Sequence, residues 1–343
     1  MATYRLGFYG FDALVLTGGP GDGALHPVAS QDATLRLSGP DAVLTPVRVV
    51  NGEGGGRMAR IGPGSGFGVE GQAVDLALRL TLLGDDGQRL TGELLTVDGS
   101  PVGLLASAPL GPGVTYRVTD TAAPDPAEGI GAGLGSLDPT HAAGPAAGSR
   151  GVAFCFTSGT HFDTPDGPRR IDDLCPGDLV TTLGNGSQPL RWIGSRHVPV
   201  AEMLSSPDLQ PVEFAAGVIG NLRAFRVSPQ HRLLLNDWRA QVYFGEDEVL
   251  IPAKAMVNGS TIRQVLPASG VTYIHLLFDR HEIIVSEGAL SESFHPGEFG
   301  LQALDEAQRS EVESLFPGPE LARRRAAFPI VTLTEARAIR LPD

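Results

Sequence analysis

Lysine is almost missing from this chain. Lys254 stands alone among 26 basic residues, the rest being arginine, against 39 acidic residues. The bias itself carries no mechanism, but the net charge of −13 and a pI near 5.0 argue against nucleic acid or an anionic membrane as the main partner. Cysteine is scarce too, with Cys155 and Cys175 the only two. Two thiols cannot make a disulfide framework, and their spacing is not that of a CxxC zinc site, so no metal and no cofactor are expected. No apolar run reaches the ~18 residues of a membrane-spanning helix. Residues 1–10 lack the charged start and long apolar core of a signal peptide. A soluble protein is expected, cytoplasmic or exported by a leaderless route.

What is present is apolar material, 42% of 343 residues, enough for about two domains. Residues 1–121 read as short strands between glycine-rich turns: 33–37, 42–50, 74–83, 93–97 and 114–118. Gly84-Asp85-Asp86-Gly87 and Asp98-Gly99-Ser100-Pro101 supply turn chemistry. Val74-Asp75-Leu76-Ala77-Leu78-Arg79-Leu80 alternates as a half-buried strand does. An all-β, sandwich-like domain is expected, with its charged residues on solvated strand faces. It carries no catalytic constellation.

Residues 122–150 lose all periodicity and become rich in Gly, Ala and Pro, which predicts a flexible linker. Residues 151–297 return to β patterning, with strands expected around Leu179–Leu183, Arg191–Ile193, Arg223–Val227, Arg232–Leu235, Val249–Ile251, Tyr273–Phe278 and Glu282–Val285. Residues 298–343 turn helical. Leu304–Phe316 has early acids and helical apolar spacing and stops at Pro317-Gly318; Glu320–Ala327 and Leu333–Arg340 read as two shorter helices. The fold class expected is mainly β with a short helical tail.

Three segments of residues 151–297 could supply chemistry. The first holds Cys155 with Thr160 and Thr164, beside the linker. A thiol there has the preceding peptide bond as a target, whereas an ordinary lone cysteine is a small buried hydrophobe. The second is Ser228-Pro229-Gln230-His231, whose spacing in a turn lets hydroxyl and imidazole face one small site. The third runs from His275 to His281; in a regular strand His275, Asp279 and His281 share one face.

Cys155-Phe156-Thr157-Ser158-Gly159-Thr160, with Thr164-Pro165-Asp166-Gly167 and the stretch Ile171–Val180, resembles the opening block of Hint domains, the hedgehog/intein autoprocessing modules. Ser228-Pro229-Gln230-His231 resembles their Thr-x-x-His block, with Ser for Thr, and residues 275–288 resemble the late block. Arg191-Trp192-Ile193-Gly194 and Glu292-Ser293-Phe294-His295-Pro296-Gly297 resemble the bacterial branch most closely. The likeness spans residues 152–297, and the N-terminal domain resembles no family we can name.

The resemblance implies an all-β horseshoe and cleavage of the Phe154–Cys155 bond. In that scheme Cys155 attacks the Phe154 carbonyl, and His231 bonds and protonates the departing Cys155 nitrogen. Ser228 holds the peptide, and His275 is the first choice of base, with Asp279 and His281 as second choices. His281 is followed by Glu282, not by the Asn and acceptor residue that splicing requires, so release of residues 1–154 is expected without splicing. The acceptor partner is water, a thiol, an amine or an alcohol. Two other classes compete. A papain-like hydrolase would need its cysteine on a helix, which the β-type flanks of Cys155 do not favour. A β-rich binding or surface module with an inactive Hint-like half is the non-enzymatic reading.

Overall fold

The computed structural model describes residues 3–17, 32–39, 42–51, 59–63, 65, 67–124, 130, 154–296, 300–301, 304–316 and 325–336. The protein is mainly β. It divides into two compact units, the first taking Met1–Ala147 with Pro199–Pro207 and Leu266–Gly270, the second the remainder.

In the first unit the strands Ala73–Gly84, Ala59–Ile61, Val43–Asn51, Thr3–Gly10, Ser100–Ala106 and Arg89–Val97 pair in that order. Arg89–Val97 then pairs back onto Ala73–Gly84, so this all-β sheet closes on itself. The hairpin between Arg89–Val97 and Ser100–Ala106 turns on Asp98 (φ 47°) and Gly99 (φ 79°). Two successive positive φ values are the signature of a type I′ turn, for which Asp-Gly is a preferred pair. The core gathers Leu6, Phe8, Val47, Val49, Leu76 and Leu95.

Two residues depart from the expected pattern. Glu93 is not on a solvated face: it is 1% exposed, and Arg79 Nη2, opposite it on Ala73–Gly84, holds its Oε1 at 2.7 Å. Ile130, inside the expected linker, is buried in this same core. A few large aliphatics scattered among small residues leave no periodicity from which that burial could be read. The rest of that stretch, 125–129 and 131–150, lies outside the described residues.

The second unit is built on two antiparallel sheets. One runs in the order Trp192–Val198, Val271–Leu277, Phe156–Thr157, Phe225–Val227, Val212–Phe214, Ile262–Gln264. The other includes His161–Phe162, Ile283–Ser286, Ala289–Glu292, Arg232–Leu235 and Val249–Pro252. Phe156, Phe162, Val227, Leu233, Ile274 and Ile284 meet in the core they share.

The helix Glu306–Leu315 forms where acids and apolar spacing predict it, and an Asp305/Gln308 capping box starts it. Residues 325–327 are not helical, and the earlier part of the expected helix 320–327 lies outside the described residues. Leu333–Ala336 is helical, with 337–340 outside. Among the described residues no helix is long and apolar enough to cross a membrane, which says nothing of strands.

Candidate functional site

Strand register brings the three motif blocks together. Phe156 pairs with Ile274 on one side and Val227 on the other, both antiparallel. One residue back from Phe156 is one residue forward on each partner, so Cys155 lies between His275 and Ser228. The contacts follow. The Cys155 amide N–H donates to Ser228 Oγ at 3.0 Å, and the Ser228 N–H donates to the Cys155 carbonyl at 2.9 Å. The Cys155 sulfur lies 3.3 Å from His275 Nδ1 and 3.2 Å from Nε2. Residues 228–231 make a tight turn closed by the His231 N–H on the Ser228 carbonyl at 3.0 Å. That turn sets the His231 ring edge-on to Phe156, with centroids 4.3 Å apart.

Phe154, the residue before the cysteine, has φ 51°. A bulky residue in the left-handed region is an outlier that costs of order 1–3 kcal/mol and persists only where its surroundings impose it. Its carbonyl is close enough to both imidazoles, His231 and His275, to favour their protonation. Neither ring nitrogen of His231 nevertheless makes a hydrogen bond among the described residues. The carbonyl thus faces the ring outside hydrogen-bonding geometry in the resting state.

Burial dominates the electrostatics. It drives His231 down to about 4, against the opposing pull of the Glu292 carboxylate, and His275 down to about 4, opposed by the Phe154 carbonyl. It pushes the Cys155 thiol well above its ordinary range, offset in part by Ser228 and Arg196. Near neutrality the site therefore holds a thiol and two uncharged imidazoles.

Three of the expected residues are elsewhere. The strand carrying His275 ends at Leu277, so the even spacing to residues 279 and 281 does not put them on one face. Asp279 is half exposed and pairs with Arg191 at 3.6 Å. His281 is buried, but its Nδ1 accepts the Ala327 N–H at 3.0 Å and its Nε2 faces Glu292 Oε2 at 3.3 Å. An accepting Nδ1 puts the ring proton on Nε2, toward the carboxylate. Thr160 donates to the Thr157 carbonyl at 2.8 Å and braces a turn. His231 is not the partner of the Cys155 nitrogen, because Ser228 takes that N–H.

Glu292 went unassigned in the sequence. It is fully buried, accepts the Arg232 N–H at 2.9 Å, and pairs with Arg232 Nη1 at 3.1 Å. Burial works to raise its pKa, but His281 and Arg232 hold it below the usual carboxylate value. It is the anion whose field reaches His231. An acid in a β-patterned stretch gives no local sign of this, since the clamp comes from Arg232 on another strand and His281 in a loop. Neither cysteine is in a disulfide, and Cys175 is exposed. Among the described residues no cluster of His, Cys, Asp and Glu could hold a metal.

Comparison with known proteins agrees with the motif blocks. Residues 154–298 match the family model described as "Hint domain". No curated protein matches the chain. Among solved structures, the solution structure of a bacterial intein-like domain from Clostridium thermocellum is similar at 12% identity, covering 41% of this chain and 99% of that one, with a TM-score of 0.30. The MchDnaB-1 intein is similar at 10% identity over 40% of this chain and 98% of its own, with a TM-score of 0.28. The gp41-1 intein gives 10%, 40% and 96%, with a TM-score of 0.26. At such identities and scores the assignment rests on the family match together with the motif blocks: residues 154–298 are a Hint domain, the autoprocessing module of hedgehog proteins and inteins.

Proposed function

We propose that the chain cleaves its own Phe154–Cys155 peptide bond by an N-to-S acyl shift and releases residues 1–154. The observation that carries this reading is the placement of the Cys155 sulfur against His275 while the Cys155 N–H is held by Ser228. His275, uncharged near neutrality, takes the thiol proton as sulfur attacks the Phe154 carbonyl carbon. The C–N bond then breaks and leaves a Phe154–Cys155 thioester, with the Cys155 nitrogen gaining one proton to become an amine. That proton is the one His275 took from the thiol, passed on through Ser228 Oγ. The hydroxyl gives its own proton to the nitrogen and receives the His275 proton in its place, while His231 polarises the carbonyl oxygen as it becomes an oxyanion. The strained φ of Phe154 is relieved when the chain breaks there and so favours the reaction. Water, or an added thiol or amine, then attacks the thioester and frees the first 154 residues.

Incubating the purified chain with hydroxylamine or dithiothreitol tests this reading. Accumulation of a fragment ending at Phe154, absent from the Cys155→Ala variant, is the expected result. A chain that stays whole in both reagents would make the Hint domain an inactive scaffold.

A further inference from the structure

The Phe154 side chain is 6% exposed and packs with Trp192, Leu277, Phe294, Leu304 and Val312. The Arg232 guanidinium lies over its ring, 4.1 Å from the centroid. Two of those walls, Leu304 and Val312, belong to the C-terminal segment, beyond the family match that ends at residue 298. That segment is fastened by polar contacts at two points, Trp192 Nε1 donating to Glu311 Oε2 at 2.9 Å and Gln308 Nε2 to the Ser195 carbonyl at 3.0 Å. Within it Arg309 Nε donates to the Leu301 carbonyl at 3.1 Å. The same walls frame the reacting groups. His275 stacks near Trp192 with centroids 6.4 Å apart and meets Phe294 edge-on at 4.7 Å. Trp192 and Leu277 are paired across the sheet, and Leu277 is two residues beyond His275 on one face of its strand.

We propose that these residues form a recognition pocket for a large apolar side chain immediately before the scissile bond, and that the helix Glu306–Leu315 is a required wall of it. The inference rests on the cleavage reading above and adds its specificity. A side chain gripped on several sides, with a guanidinium over its ring, is what can hold an aromatic residue at positive φ and keep its carbonyl turned toward the two imidazoles. An alanine at the same position has nothing to grip and relaxes to ordinary backbone angles. Leu304 and Val312 are positioning residues, since they belong to the cluster around that side chain and not to the reacting groups.

The test compares hydroxylamine-induced cleavage of the full chain with its Phe154→Ala, Phe154→Leu and Val312→Ala variants. Misplacing a reacting group by about 1 Å can cost ~100-fold. Phe154→Ala and Val312→Ala are therefore expected to cleave at least about tenfold more slowly, and Phe154→Leu, which refills the pocket, to recover most of the rate. A second readout does not need the chemistry. In a Cys155→Ala, Trp238→Phe background Trp192 is the remaining indole, and Phe154→Ala should shift its emission to the red and raise its quenching by acrylamide. Phe154→Ala cleaving at the wild-type rate, or leaving Trp192 emission unmoved, overturns the pocket while the cleavage reading stands. A wild-type chain that hydroxylamine leaves whole overturns both.

Discussion

Replacing His275 with alanine probes the proton transfer that starts the proposed reaction. Burial holds the Cys155 thiol well above its ordinary range and draws His275 down to about 4, so moving the proton outright in the resting site is uphill. The sulfur must therefore lose its proton as it attacks, with His275 taking it in the same step. A positioned base of this kind contributes ~10²–10⁴-fold, so H275A should slow fragment release by that factor, ~3–5 kcal/mol in the barrier. The pH profile distinguishes this from simple damage. Above about pH 5 the wild-type imidazole is already unprotonated, and its rate should be flat to about pH 8.5. H275A must wait for thiolate, so its rate should climb ~10-fold per pH unit across the same range. Gel time courses of the released fragment, with hydroxylamine in excess so that capture is not limiting, measure both. A flat profile for H275A, or a rate equal to wild type, would refute the assignment.

Ser228→Ala leaves the buried Cys155 N–H without its acceptor, which should cost ~1–3 kcal/mol of stability by urea denaturation in the Cys155→Ala chain. In the chain with Cys155 it should also slow cleavage, and unchanged stability and rate would remove Ser228 from the site. The buried histidines predict an acid-sensitive fold. His231 and His275 sit at about 4 when folded, against 6.5 ordinarily, so the unfolded chain binds protons that the folded one refuses between those values. Their contribution is complete above about 6.5 and is lost as pH falls through about 4, at ~2 kcal/mol per histidine between about pH 7 and about pH 5. Urea midpoints of the Cys155→Ala chain that do not drop over that interval would show that the two rings are not held uncharged.

Much of the architecture was legible in the chain because it is local. Alternation in Val74–Leu80 marked a strand, Asp98-Gly99 the hairpin turn between Arg89–Val97 and Ser100–Ala106, and early acids before Pro317-Gly318 the helix Glu306–Leu315. The site was legible in part. Cys155, Ser228, His231 and His275 were singled out and come together in the structure, yet the Cys155 nitrogen was assigned to His231 and is held by Ser228, because a hydroxyl and an imidazole three residues apart both suit that bond. Asp279 looked like a partner of His275 only while the strand was taken to continue past Leu277.

By itself, then, the sequence determined the order of the three blocks, the cysteine in the first of them, and the Glu282 that follows His281. Those are properties of residue type and position along the chain. Only the tertiary structure decided that the field of Glu292 reaches His231, that Ile130 is buried in the first unit's core, and that Phe154 shares a cluster with Val312, a helix residue some 150 positions away. Burial and field are sums over neighbours drawn from distant strands. The antiparallel register that puts Cys155 between His275 and Ser228 exists only once those strands have paired.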